Sequence, residues 1–390
     1  MKNYDSISEL APWCALNRIF GFSPKSGLAA IRHFGNAGNV FGADRKELAE
    51  FFGYGSKAAE MISDKALQDS SAELSRLNDT GVRFICIDDI RYPKLLKECE
   101  DPPVGIYIKG DAPERIFSAR PALAIVGTRD ITSYGTEWCT RLVTALGRAR
   151  VKPSIISGLA IGTDAAAHSA ALDCGLPTIA VMATGANAVY PFRHGWLADR
   201  ICSSDESGLV TDYPPGTAPM AINFLRRNRI IAGLSKAVIL IESKIKGGGM
   251  MTCRLAYSYN RDIYALPGRI DDRCSAGCNE LLRMKIAEPI TDIDMFIDSL
   301  GLGSSRDDTP KDIRSFLMMK YKDMKGSVTA GDIAEIACTI SRNRDIRAED
   351  ICAMTGMEYS RVAVALGIME CDGIISSDLL GACSINPKII

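Results

Sequence analysis

Along the 390 residues the apolar positions fall into three regimes. Residues 11–78 read as helical. Within them, 19–31 (IFGFSPKSGLAAI) and 51–62 (FFGYGSKAAEMI) each set an apolar-Gly-apolar turn before a helix rich in small residues. The second stretch resembles a helix-hairpin-helix, in which Gly53 and Gly55 let the backbone approach a phosphate and Lys57 opens the next helix. Glu47, Glu50 and Glu60 around it favour the plainer reading, a tight turn in a small helical bundle.

From Gly81 the pattern shifts to short β-rich runs. Residues 82–87 (VRFICI) and 104–110 (VGIYIKG) predict strands joined by a turn-rich connection. Between 119 and 290, apolar strands at 122–127, 154–158, 178–185, 208–213, 237–243 and 262–268 alternate with helices near 136–148, 164–172, 195–201 and 251–260. That alternation predicts an α/β fold: a Rossmann-like, doubly wound, mostly parallel sheet, which binds ligands at the carboxyl edge of its strands. Residues 301–312 read as a linker. Residues 313–390 run helix, Gly turn, helix and short strand over 347–378, the order of a winged-helix-like domain. The expected organisation is therefore a helical domain over 1–80, the sheet domain over 81–300, the linker, and the winged-helix-like domain. In that last domain 358–370 offers Arg361 as its one cation, which suits protein contact or a structural role better than DNA reading.

Composition narrows the choices. The chain is 47% hydrophobic with a net charge of −1, so no global field draws it to a polyanion and any such binding needs a local patch. It has no run of 18 apolar residues, and Met1 to Leu10 lacks the apolar core of a signal peptide, which points to the cytoplasm and away from a membrane. Its 13 cysteines are odd in number and scattered, which argues against a disulfide framework. Cys274 and Cys278 have no second pair or His cluster nearby, so no metal is expected. No GxGxxG or GxxxxGK[ST] loop occurs, and no cofactor is expected.

The local patch stands between Tyr213 and Ile241, where Arg226, Arg227, Arg229 and Lys236 occur without an acidic residue. Pro214, Pro215 and Gly216 predict a loop, and Ile230, Ile231, Ala232 and Leu234 the buried side of a short helix. The arginines are thus expected at a helix N-terminus, a favourable place for an anion. The loop GTRDITSYG (127–135) adds Gly127 for close approach, Thr128 as a hydroxyl donor and Arg129 as a phosphate fork. SGLAIGTDAAAH (157–168) adds Ser157, Gly158 and Gly162. Triple glycine at 247–249 fits a helix start against a ligand or another chain. Tyr134, Phe192, Tyr213 and Phe224 lie near these loops as candidate stacking faces, packing being the commoner use of each.

YPKLL, DPPVGIYIKG, AIVGTR, ISGLAIGTDAAAH, YPPGTAPMAINFLRRNRIIAGLSKAV and GCNELL, in that order over Arg91 to Ile290, resemble the DprA (Smf) family of DNA-processing proteins. The resemblance implies a non-catalytic, usually dimeric protein that binds single-stranded DNA entering in natural transformation and loads the RecA recombinase. It assigns the family's basic pocket to Arg129, Arg226, Arg227, Asn228 and Arg229, lined by Gly127, Ser157, Gly158 and Gly162, with Arg193 after the VYP turn as a weaker member. Ile161 stands where the family pattern has Arg, His194 replaces a common Asn, and GGGMMTC replaces SGSLxTA. A second reading is an enzyme resembling the LOG-like phosphoribohydrolases, with Asp164 and His168 as an acid-base pair. A third makes the chain an adaptor whose terminal domains hold protein partners.

Overall fold

The computed structural model describes residues 3–111, 116–117, 120–303, 313–322, 324, 326–343, 346–378 and 381–386. The chain divides into two units, Met1–Leu302 and Gly303–Ile390. Residues 304–312 of the expected linker lie outside the described residues.

The first unit is built on a nine-stranded sheet. Its strands are β1 (Val82–Cys86), β2 (Gly105–Gly110), β3 (Ala122–Val126), β4 (Ser154–Ser157), β5 (Thr178–Val181), β6 (Gly208–Thr211), β7 (Ala237–Leu240), β8 (Asp262–Ala265) and β9 (Glu288–Pro289). They lie in the order β1-β2-β6-β5-β4-β3-β7-β8-β9. The span from β6 to β9 is parallel, while β2 joins β6 and β1 joins β2 antiparallel. The fold is the expected Rossmann-like α/β arrangement, extended by an antiparallel edge.

The near-continuous apolar strands follow from burial on both faces. In β3, Ala124 and Val126 enter one core while Leu123 and Ile125 enter the other, and β7 divides Val238 and Leu240 from Ala237 and Ile239 in the same way. Helices Ala221–Leu234 and Gly248–Ser258 cover the first face with Ile230, Ile231, Cys253 and Ala256. Helices Ser133–Arg148 and Thr163–Asp173 cover the second with Leu142, Val143, Ala167 and Ala170. From β3 the chain winds outward through β4, β5 and β6, then returns to β7 on the other side of β3. The β3–β7 junction is therefore the topological switch point, where open α/β sheets leave a crevice.

The division expected near residue 80 lies inside this first unit. Leu16, Leu74 and Leu77 of the N-terminal helices share one core with Ile85 and Ile106 of the sheet edge. A buried polar link reinforces the join: the Tyr107 hydroxyl donates to Glu73 Oε1 at 2.7 Å, and the Asn17 amide donates to the Asp212 carbonyl at 2.9 Å. Gly53 and Gly55 take φ of 92° and 76° between helices Arg45–Phe52 and Lys57–Met61, the second of which is five residues long.

The second unit has its own core, with Leu317, Ile333, Ile351, Val362 and Ile374. Helices Ile313–Lys320, Ala330–Arg342, Ala348–Thr355 and Tyr359–Cys371 are followed by the antiparallel hairpin β10 (Ile375–Ser377) and β11 (Cys383–Ile385), a winged-helix-like order. Arg361 is held by Asp332 at 2.8 Å, so the cation of the last helix is already engaged.

Candidate nucleic-acid interface

A cleft of 290 Å³ opens at the switch point. The turn after β3 contributes Gly127, Thr128 and Arg129, and the turn after β7 contributes Ser243 and Lys244. Gly247–Gly249 close one side, Phe224, Leu225, Arg227 and Asn228 another, and Asp164 reaches in from helix Thr163–Asp173.

The glycines shape this cleft by letting its turns touch one another. The Thr128 amide donates to the Glu242 carbonyl at 2.8 Å, and the Thr128 carbonyl accepts from the Thr163 amide at 3.1 Å. A Cβ on Gly127 would stand 2.9 Å from the Glu242 carbonyl oxygen, and one on Gly162, whose φ is +80°, 2.5 Å from the Thr128 carbonyl oxygen. Ser157 is buried and donates to the Ile125 carbonyl at 2.6 Å. Ser157, Gly158 and Gly162 thus support the cleft from behind; Gly127 and Thr128 are in its wall.

The arginine cluster is not gathered on one rim. Helix Ala221–Leu234 begins five positions before Arg226, so the arginines stand in its interior and not at an N-terminus. Successive helical residues turn by roughly 100°, which sends neighbours to different faces. Arg226 lies 4.4 Å over the Phe22 ring and donates to the Phe22 carbonyl at 3.1 Å. Arg229 is buried, paired with Asp212 at 2.6 Å and bonded to the Asp101 carbonyl, and does not border the cleft. Arg227 does border it, 3% exposed, with Nη1 donating to the Val181 carbonyl at 2.7 Å. Asn228 is buried in the same wall.

The exposed cations of the site come from outside helix Ala221–Leu234. Arg129 is exposed, its Cζ 5.1 Å from the Phe224 ring centroid, and Phe224 in turn meets Tyr190 edge-on at 5.4 Å. Arg129 and Phe224 also wall an adjoining recess of 130 Å³ with Ile161, Tyr190, Pro191 and Arg193. Arg193 is exposed, as is Phe192 beside it at 92%. Lys244, exposed at the other side of the main cleft, is the residue that motif reading passes over. Its signal is topological: it follows the strand that flanks the switch point. Of the other aromatic candidates, Tyr213 is buried and Tyr134 donates to the Pro267 carbonyl at 2.6 Å, so both serve packing.

Two arrangements bear on chemistry. Asp164 Oδ2 accepts from the Ala160 amide at 3.2 Å; burial pushes its carboxyl up, against the pull of Arg227. His168 is fully buried, its Nδ1 2.7 Å from Thr178 Oγ1, and does not border the cleft. Burial, aided by Arg227 and His194, holds its imidazole down to about 3 and hence neutral. The expected acid-base pair is therefore not assembled. At the N-terminus of helix Ser133–Arg148, where a Rossmann protein places a dinucleotide pyrophosphate, the chain puts its own carboxylate: Glu242 accepts from Thr132 N at 2.9 Å and from Thr132 Oγ1 at 2.5 Å. Among the described residues no acidic, His and Cys cluster could hold a metal ion, and no helix is long and apolar enough to cross a membrane.

A parallel sheet with a basic, aromatic-edged cleft at its switch point defines a Rossmann-like α/β protein suited to phosphate-bearing ligands. The chain belongs to the DNA recombination-mediator protein A family, whose model matches residues 83–301. It is 35% identical over 296 residues to protein Smf of Synechocystis sp., covering 75% of this chain and 73% of that one. It is 36% identical over 229 residues to DNA processing protein DprA of Streptococcus pneumoniae, covering 59% and 78%. The X-ray structure of DNA processing protein A from S. pneumoniae superposes with a TM-score of 0.62 at 28% identity over 77% of this chain and 98% of that one. A structure of the Helicobacter pylori DNA processing protein A, concerned with its single-stranded DNA binding mode, superposes with a TM-score of 0.50 at 30% identity over 56% and 95%. A DNA-processing role of the recombination-mediator kind follows from this membership.

Proposed function

We propose that the chain binds single-stranded DNA across the switch-point cleft and its adjoining recess, performs no chemistry on the strand, and passes it to a RecA recombinase, acting as a cytoplasmic homodimer. The observation that carries the binding reading is the Arg129–Phe224 stack on the wall common to both recesses, with Lys244 in one and Arg193 in the other. Strand binding without sequence preference needs cations along a backbone track and aromatic faces for bases, each stack contributing about 1–3 kcal/mol. The chain's net charge of −1 makes this local grouping the source of attraction. The relationship to the H. pylori protein supports the choice of single-stranded DNA; the recombinase, the dimer and the lack of chemistry rest on the family resemblance.

The test is an anisotropy titration of single- and double-stranded oligonucleotides at two salt concentrations, with the native chain and Arg129→Ala/Arg193→Ala. The native chain should prefer the single strand. The double variant should bind more weakly and show a salt slope shallower by about 0.7 for each phosphate it no longer neutralises. Equal affinity and slope in the two proteins would remove the reading.

A further inference from the structure

Helix Gly248–Ser258, eleven residues long, begins at Gly247 with no side chain capping it. Among the described residues, then, no side chain caps its first amide groups, which a helix end leaves without intrahelical partners. Helix Ser133–Arg148, on the other face of the sheet, begins differently, capped by Thr132 and closed by Glu242. The open end belongs to the wall of the 290 Å³ cleft, at the lower end of the ~300–1,000 Å³ range of small-molecule sites.

An independent feature of the same wall points to an anion. Arg227 is 3% exposed, and no ion pair to it occurs among the described residues. Its Nη1 is spent on a neutral carbonyl and its Nε is buried without any acceptor. A buried charge is costly unless something of opposite sign compensates it. Asp164, the acidic group of the same wall, acts on Arg227 through space, but no salt bridge joins the two among the described residues, and its Oδ2 accepts from the Ala160 amide. Lys244 and Arg129 add positive charge at the mouth.

We propose that this inner end is a seat for the terminal phosphate of a single nucleotide. The group is the 5′-phosphate of a strand end or that of a free nucleoside monophosphate, held by the Gly248 and Gly249 amides and Lys244, in the same wall as the buried guanidinium of Arg227, which no salt bridge engages among the described residues. A monoester fits better than a passing phosphodiester because it carries more charge and needs one entry only, and Arg227, Asn228 and Ile231 line the cleft on its helix side. The strand-end arm rests on the proposed single-stranded DNA binding; the free-nucleotide arm stands without it.

The full chain is titrated with 3′-labelled oligothymidylate bearing either a 5′-phosphate or a 5′-hydroxyl, and separately with dTMP and thymidine by calorimetry. The expected result is a preference of about fivefold or more for the phosphorylated member of at least one pair. That ratio should collapse toward unity in Lys244→Ala, an exposed position whose change spares the core. Preference within the oligonucleotides alone assigns a strand-end seat, and preference for dTMP alone a free-nucleotide seat. If neither oligonucleotide binds, the single-stranded DNA reading fails while dTMP still decides the seat. Ratios of unity in both pairs, or a preference that persists in Lys244→Ala, would overturn the proposal.

Discussion

The guanidinium of Arg227 occupies the space that a side chain at Gly158 would need: a Cβ built there overlaps Nη1 and Cζ. Gly158 is thus the floor on which the cleft's buried cation rests, and its lack of a side chain serves Arg227 and not a ligand. Gly158→Ala should lower stability by about 1–3 kcal/mol, the usual cost of overpacking. The two positions should also couple. In an Arg227→Ala background the same change should cost little, and a urea-denaturation double-mutant cycle reads the difference; additivity within about 0.5 kcal/mol would show that the overlap is relieved elsewhere.

Arg229 and Arg129 separate stability from binding. Arg229 faces Asp212 at 2.6 Å in a buried pair, and burial alone pushes the Asp212 carboxyl up. Arg229→Ala strands that carboxylate and should cost about 3–5 kcal/mol. Arg129→Ala, at an exposed position, should change stability by less than about 0.5 kcal/mol. Chemical denaturation of both variants checks this; an Arg229→Ala protein as stable as the native chain would mean that the pair is not structural.

The sheet was legible in the sequence because its central strands are buried on both faces and so read as unbroken apolar runs. The edge of the sheet that carries the cleft followed from the same pattern. The fate of the arginines was not legible, since their partners are distant in the chain: Phe22 for Arg226, Val181 and Gly158 for Arg227, Asp212 and Asp101 for Arg229. A one-sign cluster in sequence became three separate environments once the helix turned through it. The early start of that helix was hidden because Met220 at its N-cap offers no capping side chain. Lys244 carries no motif, and its place beside the switch point emerges only when the order of β3 and β7 is known.

His168 gives the fold an acid limit. Its imidazole is held down to about 3 by burial, Arg227 and His194, whereas the exposed side chain of the unfolded chain titrates near 6.5. Asp164, one helical turn earlier, is buried in the same helix with its carboxyl pushed up by burial, so it supplies no exposed counter-charge. Because the folded value lies below the unfolded one, the contribution is complete above pH 6.5 and is lost as the pH falls toward 3. The slope is at most about 1.4 kcal/mol per pH unit, since one proton is taken up on unfolding. In His168→Gln that proton has no site. Urea midpoints measured from neutral pH down to about pH 5 should therefore fall more steeply for the native chain than for the variant. Parallel curves would mean that the buried imidazole accepts a proton in the folded protein and sets no acid limit.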